Sequence, residues 1–182
     1  MSAKIGLGSP NIERVTSKQI TELAAFATAS FMDTFAYLYT AENLDLFLKQ
    51  SRSKEYYAKE ISNPANHIWI IRDKDMSGAP IIGYAKVGPN SLPVTSPKNN
   101  ALELAQLYID KTHQGKGLGQ TLLSHAIDIA RQHSYLEVIL GVYFKNIGAQ
   151  KLYERNGFSK IAEYDFPVGT HIDREFIMLK TL

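Results

Sequence analysis

The sequence predicts a mixed α/β fold, and three observations carry that expectation. Short runs rich in β-branched and aromatic residues, such as "HIWIIRD" and "IIGYAKV", read as strands bounded by turn signals. Longer stretches between such runs repeat apolar residues at helical spacing. The run "ALELAQLYI" passes through "HQGKGLGQ", crowded with glycine, straight into a helical pattern.

The elements follow in order. "NIERVT" reads as a first strand, and Ser17 as the N-cap of a helix that lines up Ile20, Leu23, Ala24, Ala27 and Phe31. A second helix, Ala41 to Ile61, carries Leu44, Leu48 and Tyr56 and ends at Asn63-Pro64. "HIWIIRD" and "IIGYAKV" are strands joined by the turn "KDMSGAP". "GPNSLPVTSPKNN" is a loop, long enough to suggest a functional role. After "ALELAQLYI" and the glycines, a helix stripes Leu118, Leu122, Ala126 and Ile129, widened by Leu123, Ile127 and Ala130. "LEVILGVY" is the next strand, and "NIGAQKLYERNGF" a helix stopped by Gly157. "FSKIAEYDF" and "DREFIMLKTL" close the fold as an antiparallel pair.

At 182 residues, 45% apolar and 21% charged, the chain is expected to be one domain over 1–182, with residues 1–9 as a loose tail. A net charge of +2 marks neither a nucleic-acid nor a membrane partner. The chain has no cysteine, so disulfides, thiolate nucleophiles and cysteine metal sites are excluded, which fits a cytoplasmic protein. The opening "MSAKIGLGSP" lacks the apolar core of a signal peptide. The five histidines (67, 113, 125, 133 and 171) fall at no metal-binding spacing, so no metal is expected. His125 and His133 read most simply as surface residues.

A glycine-rich stretch at a helix start points to an anion, because the first N–H groups and the dipole face it. The P-loop pattern G-x-x-x-x-G-K-[ST] is absent. Gly115, Gly117 and Gly119 run G-x-G-x-G, not the dinucleotide pattern G-x-G-x-x-G, and several elements precede them. What stands is Gln114-x-x-Gly117-x-Gly119 at a strand-to-helix turn.

That pattern resembles the coenzyme A loop of the GNAT superfamily of N-acetyltransferases. "LYIDKTHQGKGLG" matches the superfamily's strand, turn and glycine loop in register. Asn146, Ala149, Tyr153 and Gly157-Phe158 match its second pattern. The resemblance is strongest over Ala101 to Phe158. It implies a mixed, mostly antiparallel sheet with splayed central strands, flanked by about four helices. It implies acetyl-CoA as co-substrate and a homodimer as a possible assembly.

The resemblance also assigns residues. Gln114, Gly115, Lys116, Gly117, Leu118, Gly119 and Gln120 would cradle the pyrophosphate. Lys116 reads equally as a solvated loop lysine. Leu107, Tyr108 and Ile109 would offer backbone groups to the pantetheine arm and an N–H to the acetyl oxygen, as an oxyanion donor. Asn146 would cap its helix and bond the pantetheine, with Ala149 beside it. Tyr153 would be the general acid for the departing thiolate, since a phenol of pKa about 10 suits that proton transfer. Its other reading is a core aromatic. Glu103, eleven residues before Gln114, stands where some members keep a general base. In a regular strand it would share a face with Ala105, Leu107 and Ile109. Its other reading is a solvent-facing acid. With no cysteine and no G-x-S-x-G elbow, direct transfer in a ternary complex is expected.

The resemblance places the acceptor between "FMDTFAYLYTAENLDLF" and the "DFPVGTHIDREF" loop. Asp33, Glu42 and Asp45, beside Phe31, Phe35, Tyr37 and Tyr39, either receive an organic polycation or form ordinary solvated helix faces. The whole chain is also similar to bacterial spermidine/spermine N-acetyltransferases of the PaiA group, which implies a polyamine acceptor. Ala105 departs from that pattern where a second acid is expected. A protein acetyltransferase acting on a lysine or N-terminal amine, and a non-catalytic CoA-binding sensor, are the other readings.

Overall fold

The structure is a computed structural model that describes residues 11–94 and 96–182; the expected tail, 1–9, lies outside them. Seven strands form one sheet: β1 (Ile12–Arg14), β2 (His67–Arg72), β3 (Ile81–Pro89), β4 (Ala101–Ile109), β5 (Glu137–Tyr143), β6 (Ser159–Val168) and β7 (His171–Thr181). Their order is β1-β2-β3-β4-β5-β7-β6, and every neighbouring pair is antiparallel except β4 with β5. The helices are α1 (Ile20–Phe35), α2 (Ala41–Ser51), α3 (Lys54–Ser62), α4 (Leu118–Gln132) and α5 (Ile147–Arg155). The mixed, mostly antiparallel sheet with splayed centre is as expected.

Among the described residues there are five α-helices where about four were expected, because the expected helix over 41–61 is two. Arg52 leaves the helical region at φ −138°, and the Ser53 side chain accepts from the Tyr56 N–H to start α3. A serine at this point competes for the backbone and favours a cap over a helix interior. The first cap is Thr16 and not Ser17. Its side chain and that of Gln19 form a reciprocal capping box around a short 3-10 turn, Ser17–Gln19, that leads into α1.

One sheet face carries α4. Leu118, Leu122, Leu123, Ala126, Ile127 and Ala130 are buried against Ala85, Val87, Leu102, Leu104, Val138 and Leu140, while Ile129 is only partly buried. Each buried leucine contributes roughly 1.5–3 kcal/mol, so the helix and its amino terminus are firmly placed. The other face carries α1 and α3, through Leu23, Ala27 and Tyr57 on Ile68, Ile70 and Tyr84. Phe31 of α1, Phe47 of α2 and Val168 of β6 form a separate cluster at the end nearest the site.

Two local readings are corrected. The β3–β4 register shifts, pairing Lys86 with Gln106 but Val87 with Leu104, so Ala105 is an extra residue in β4. Facing therefore flips across it. Leu102 and Leu104 lie on the α4 side, and so do Leu107 and Ile109. Glu103 shares no face with Leu107 and Ile109. His125 is half-buried, with its ring turned inward rather than out to solvent. Its ring meets Trp69 edge-on at 4.7 Å, its Nε2 is buried without a partner, and burial lowers its pKa. No helix among the described residues is long and apolar enough to cross a membrane.

Candidate active site

The site begins where the sheet opens. β4 and β5 pair only over Ala101–Glu103 against Glu137–Ile139. Beyond Glu103 the strands part, and the edge of β4 facing β5 has no strand partner among the described residues. A cavity of 970 Å³ fills the gap. At one end it meets the amino terminus of α4, and at the other the inner faces of β6 and β7.

The glycine loop has the geometry the sequence demands. Gly115 and Gly117 sit at φ +74° and +85°, a left-handed conformation that disfavours side chains. A Cβ at either would meet nothing within 4 Å, so conformation and not crowding calls for glycine. Gly117 is the N-cap of α4, whose first N–H groups lack intrahelical acceptors and face the loop. This terminus suits a phosphate. The Gln114 Nε2 donates to the Ile109 carbonyl at 3.2 Å and folds the loop back on the strand end. Gln120 and Asn156 exchange two amide hydrogen bonds, at 2.7 and 2.8 Å, so Gln120 has only its backbone for a ligand. His113 bridges two carboxylates, Nδ1 to Asp110 at 2.8 Å and Nε2 to Asp73 at 3.1 Å, bracing the turn before the loop.

Of the expected residues, Glu103, Leu107, Tyr108, Ile109, Gln114, Gly115, Gly117, Leu118, Gly119, Gln120, Asn146, Ala149 and Tyr153 all line this one cavity. Lys116 is exposed and is not part of the lining. The Leu118 side chain is in the core, and those of Leu107 and Ile109 pack against it, so these three present backbone. Asn146 caps α5, its Oδ1 accepting from the Ala149 N–H at 3.2 Å. Tyr153 is 7% exposed with its ring against Phe158, yet it lines the cavity, so the core and site readings describe one residue. Burial, then Tyr108 and Glu175, hold its phenol above the ordinary range.

Glu103 is 7% exposed, not solvent-facing. Its Oε2 accepts from the Ser91 N–H at 2.6 Å and the Ser91 hydroxyl at 2.8 Å. The long loop after β3 thus anchors this carboxylate.

At the acceptor end, the solvated helix face is the reading of the α1 and α2 acids that holds. Asp33, Glu42 and Asp45 are exposed, none lines the cavity, and Asp45 pairs with Lys49. The carboxylates inside are Glu103, Asp173 and Glu175, the last two from β7. "DFPVGTHIDREF" is not a loop but the hairpin of β6 and β7, which turns at Gly169-Thr170. Asp173 is buried and accepts from the Tyr39 hydroxyl, and His171 Nε2 lies 3.2 Å from its other oxygen. The Tyr164 hydroxyl donates to Glu175 Oε2 at 2.6 Å. Burial pushes the Glu175 carboxyl up to about 7, against the Tyr164 hydrogen bond and helped by Asp173 and Glu103. Phe31, Phe35, Tyr39 and Phe166 complete an aromatic wall. One signal for these acids was in the sequence. Asp173 and Glu175 share strand parity with Ile177 and Leu179, so a buried face carries two charges.

The comparisons with known proteins agree with this geometry. The acetyltransferase (GNAT) family model matches residues 22–158. An uncharacterised N-acetyltransferase of Lactobacillus delbrueckii subsp. lactis is 26% identical over 171 residues, covering 94% of this chain and 96% of that protein. The spermidine N(1)-acetyltransferase of Thermoplasma acidophilum is 26% identical over 157 residues, covering 86% of this chain and 92% of that protein. Among solved structures, the PaiA N-acetyltransferase of Thermoplasma acidophilum in complex with coenzyme A superposes with a TM-score of 0.74 at 25% identity, covering 96% of this chain and all of that one (100%). A sheet opened beside a glycine loop, two sequence patterns in register and a family match across most of the chain lead to one conclusion: the chain belongs to the acetyltransferase (GNAT) family.

Proposed function

We propose that this enzyme moves the acetyl group of acetyl-CoA onto a primary amine of a polyamine such as spermidine or spermine, by direct attack in a ternary complex. The observation that carries the reading is one cavity whose two ends have opposite electrostatic character. The α4 amino terminus suits a pyrophosphate, and the wall of Glu103, Asp173 and Glu175 with four aromatic rings suits an organic cation. The related Thermoplasma spermidine acetyltransferase supports that acceptor class.

In this reading Gln114 to Gln120 hold the pyrophosphate through backbone N–H groups. The free edge of β4 over Leu107–Ile109 bonds the pantetheine arm and polarises the acetyl carbonyl, with Asn146 and Ala149 opposite. Tyr153 keeps its proton across the working pH range and donates it to the departing sulfur. Glu103, anchored by Ser91, contributes negative charge that draws the ammonium inward. Holding both substrates in one cleft supplies much of the rate.

Release of free CoA from acetyl-CoA, measured with spermidine, spermine, aminoglycosides, amino acids and lysine peptides, tests the reading. Saturable release with the polyamines is expected. Release with peptides alone would make this a protein acetyltransferase. Tight CoA binding with no release from any acceptor would make it a sensor.

A further inference from the structure

We propose that Glu175 is the general base, taking a proton from the acceptor ammonium so that the neutral amine attacks the thioester. The inference rests on the acetyl-transfer reading and names a residue the sequence did not single out.

Three strands build the position. Glu175 on β7 stands directly opposite Tyr143 of β5 on one side and Tyr164 of β6 on the other. The Tyr164 hydroxyl fixes Oε2, while Oε1 has no partner among the described residues. The carboxylate then leans over β5 at Gly141, where a Cβ would lie 2.7 Å from Oε2 and 2.8 Å from the Tyr164 hydroxyl. Any side chain at Gly141 would displace this pair. Gly141 belongs to the part of β5 that has left β4, so the carboxylate faces the gap where the thioester is read to lie.

The other two carboxylates are more heavily engaged. Glu103 sits at the closed end of the fork, where β4 and β5 last pair, and takes two donors from Ser91. Asp173 has Tyr39 on one oxygen and His171 on the other. The groups facing Glu175 are Tyr164 from β6, Tyr143 from β5, Glu103 and Tyr108 from β4, Tyr153 from α5, Tyr39 before α2, and Asp173 on its own strand. No cation among the described residues forms an ion pair with it. A carboxyl that titrates near 7 is a stronger base than an ordinary one and is still ionised at mildly alkaline pH.

The step balances without any further reagent. Glu175 accepts one proton from R–NH3+. The nitrogen lone pair forms the C–N bond, and the C–S bond breaks as Tyr153 protonates the sulfur. The nitrogen's surplus proton returns to the Tyr153 oxygen. Glu175 releases its proton to solvent, so each turnover yields N-acetylamine, CoA–SH and one proton.

The test is kcat/KM against pH for wild type, Glu175→Gln, Glu103→Gln and Tyr164→Phe, with spermidine or whichever amine wild type turns over best. Wild type should lose activity below pH about 7, as Glu175 protonates. Glu175→Gln should lose about 100-fold or more and lose that limb, with CoA affinity unchanged. Glu103→Gln should keep the limb. Tyr164→Phe removes the donor that favours the ionised carboxylate, so its limb should move up by about half to one pH unit. The Glu175→Gln loss should shrink for trifluoroethylamine, which is already neutral at assay pH. A wild-type limb retained in Glu175→Gln, or an equal loss with the neutral amine, overturns the base while leaving acetyl transfer intact. A wild type that turns over no amine overturns both.

Discussion

The Arg52 guanidinium carbon lies 5.3 Å from the centre of the Phe31 ring, in the wall of the cavity. Phe47 and Tyr108 add aromatic faces at 5.5 and 5.8 Å. Arg52 is 6% exposed, its Nη1 donates to the Ser51 carbonyl at 2.7 Å, and its Nε has no partner. Among the described residues no carboxylate pairs with it. A buried cation of this kind costs several kcal/mol in desolvation, which cation–π contacts of about 0.5–2 kcal/mol each offset in part. In the polyamine reading, its charge would repel a polycationic acceptor from this wall and leave it the Asp173–Glu175 side.

Arg52→Met is therefore expected to leave stability unchanged or raise it, because an apolar side chain of similar length removes a buried charge that no carboxylate pairs. KM for spermine should fall, since a second ammonium meets less repulsion. Thermal unfolding and acceptor kinetics check both points. A KM that rises would instead show Arg52 holding an anionic part of the acceptor, and would end the polyamine reading.

Gly117→Ala separates folding from binding. The substitution forces a side chain to φ +85°, at a cost of about 1–2 kcal/mol, while the added Cβ meets nothing within 4 Å. The protein should fold with a modestly lower Tm. CoA affinity, read by calorimetry, should drop at least about tenfold, because the loop must keep this conformation to aim its N–H groups. Unchanged affinity would remove the loop from the ligand site.

Tyr153→Phe should retain the fold, since the ring and not the hydroxyl packs on Phe158. Turnover should fall by about 10- to 100-fold, with acetyl-CoA affinity within about threefold. Rapid-quench kinetics with a CoA-binding titration would show this. An intact rate would return Tyr153 to the core alone.

What the sequence made legible was local. Gln114 to Gly119 could be read because a left-handed turn at a helix start must be written in glycine within a few residues. Asn146 could be read because a cap contacts its own helix three residues on. The strands around Trp69 and Tyr84 were legible from apolar runs. What stayed hidden depends on contacts far apart in the chain. The extra residue at Ala105 is a register event between two strands, so alternation assigned Glu103 to the wrong face. Glu175 belongs to the site only because β7 lies between β5 and β6, which brings it to Tyr164 and Gly141. The acids of α1 and α2 lie near aromatics in sequence, and of the two readings open to them the solvated helix face is the one the structure shows. Arg52 marks a helix break that the apolar spacing of Leu44, Leu48 and Tyr56 runs straight across.

Glu175 also ties stability to pH, with a sign opposite to that of an ordinary salt-bridged acid. Its carboxyl moves from 4.5 up to about 7 on folding, chiefly because burial disfavours the charged form. The folded state therefore binds this proton more tightly than the unfolded chain. The stabilisation is complete below pH 4.5 and is lost as pH rises through about 7. That interval corresponds to roughly 3 kcal/mol at most. Glu22 and Asp110 are shifted down, by Arg72 and by Thr112 with His113, so their contributions run the other way and fade in acid. Denaturant unfolding of wild type and Glu175→Gln from pH 4 to 9 isolates the one group by difference. The variant should match wild type near pH 4 and exceed it at pH 8, while turning over far more slowly. A more stable but slower variant is what a carboxylate kept at a folding cost for its chemistry predicts. Parallel stability curves across the range would mean that Glu175 ionises as freely in the fold as in the unfolded chain, and would remove the electrostatic basis for its role as base.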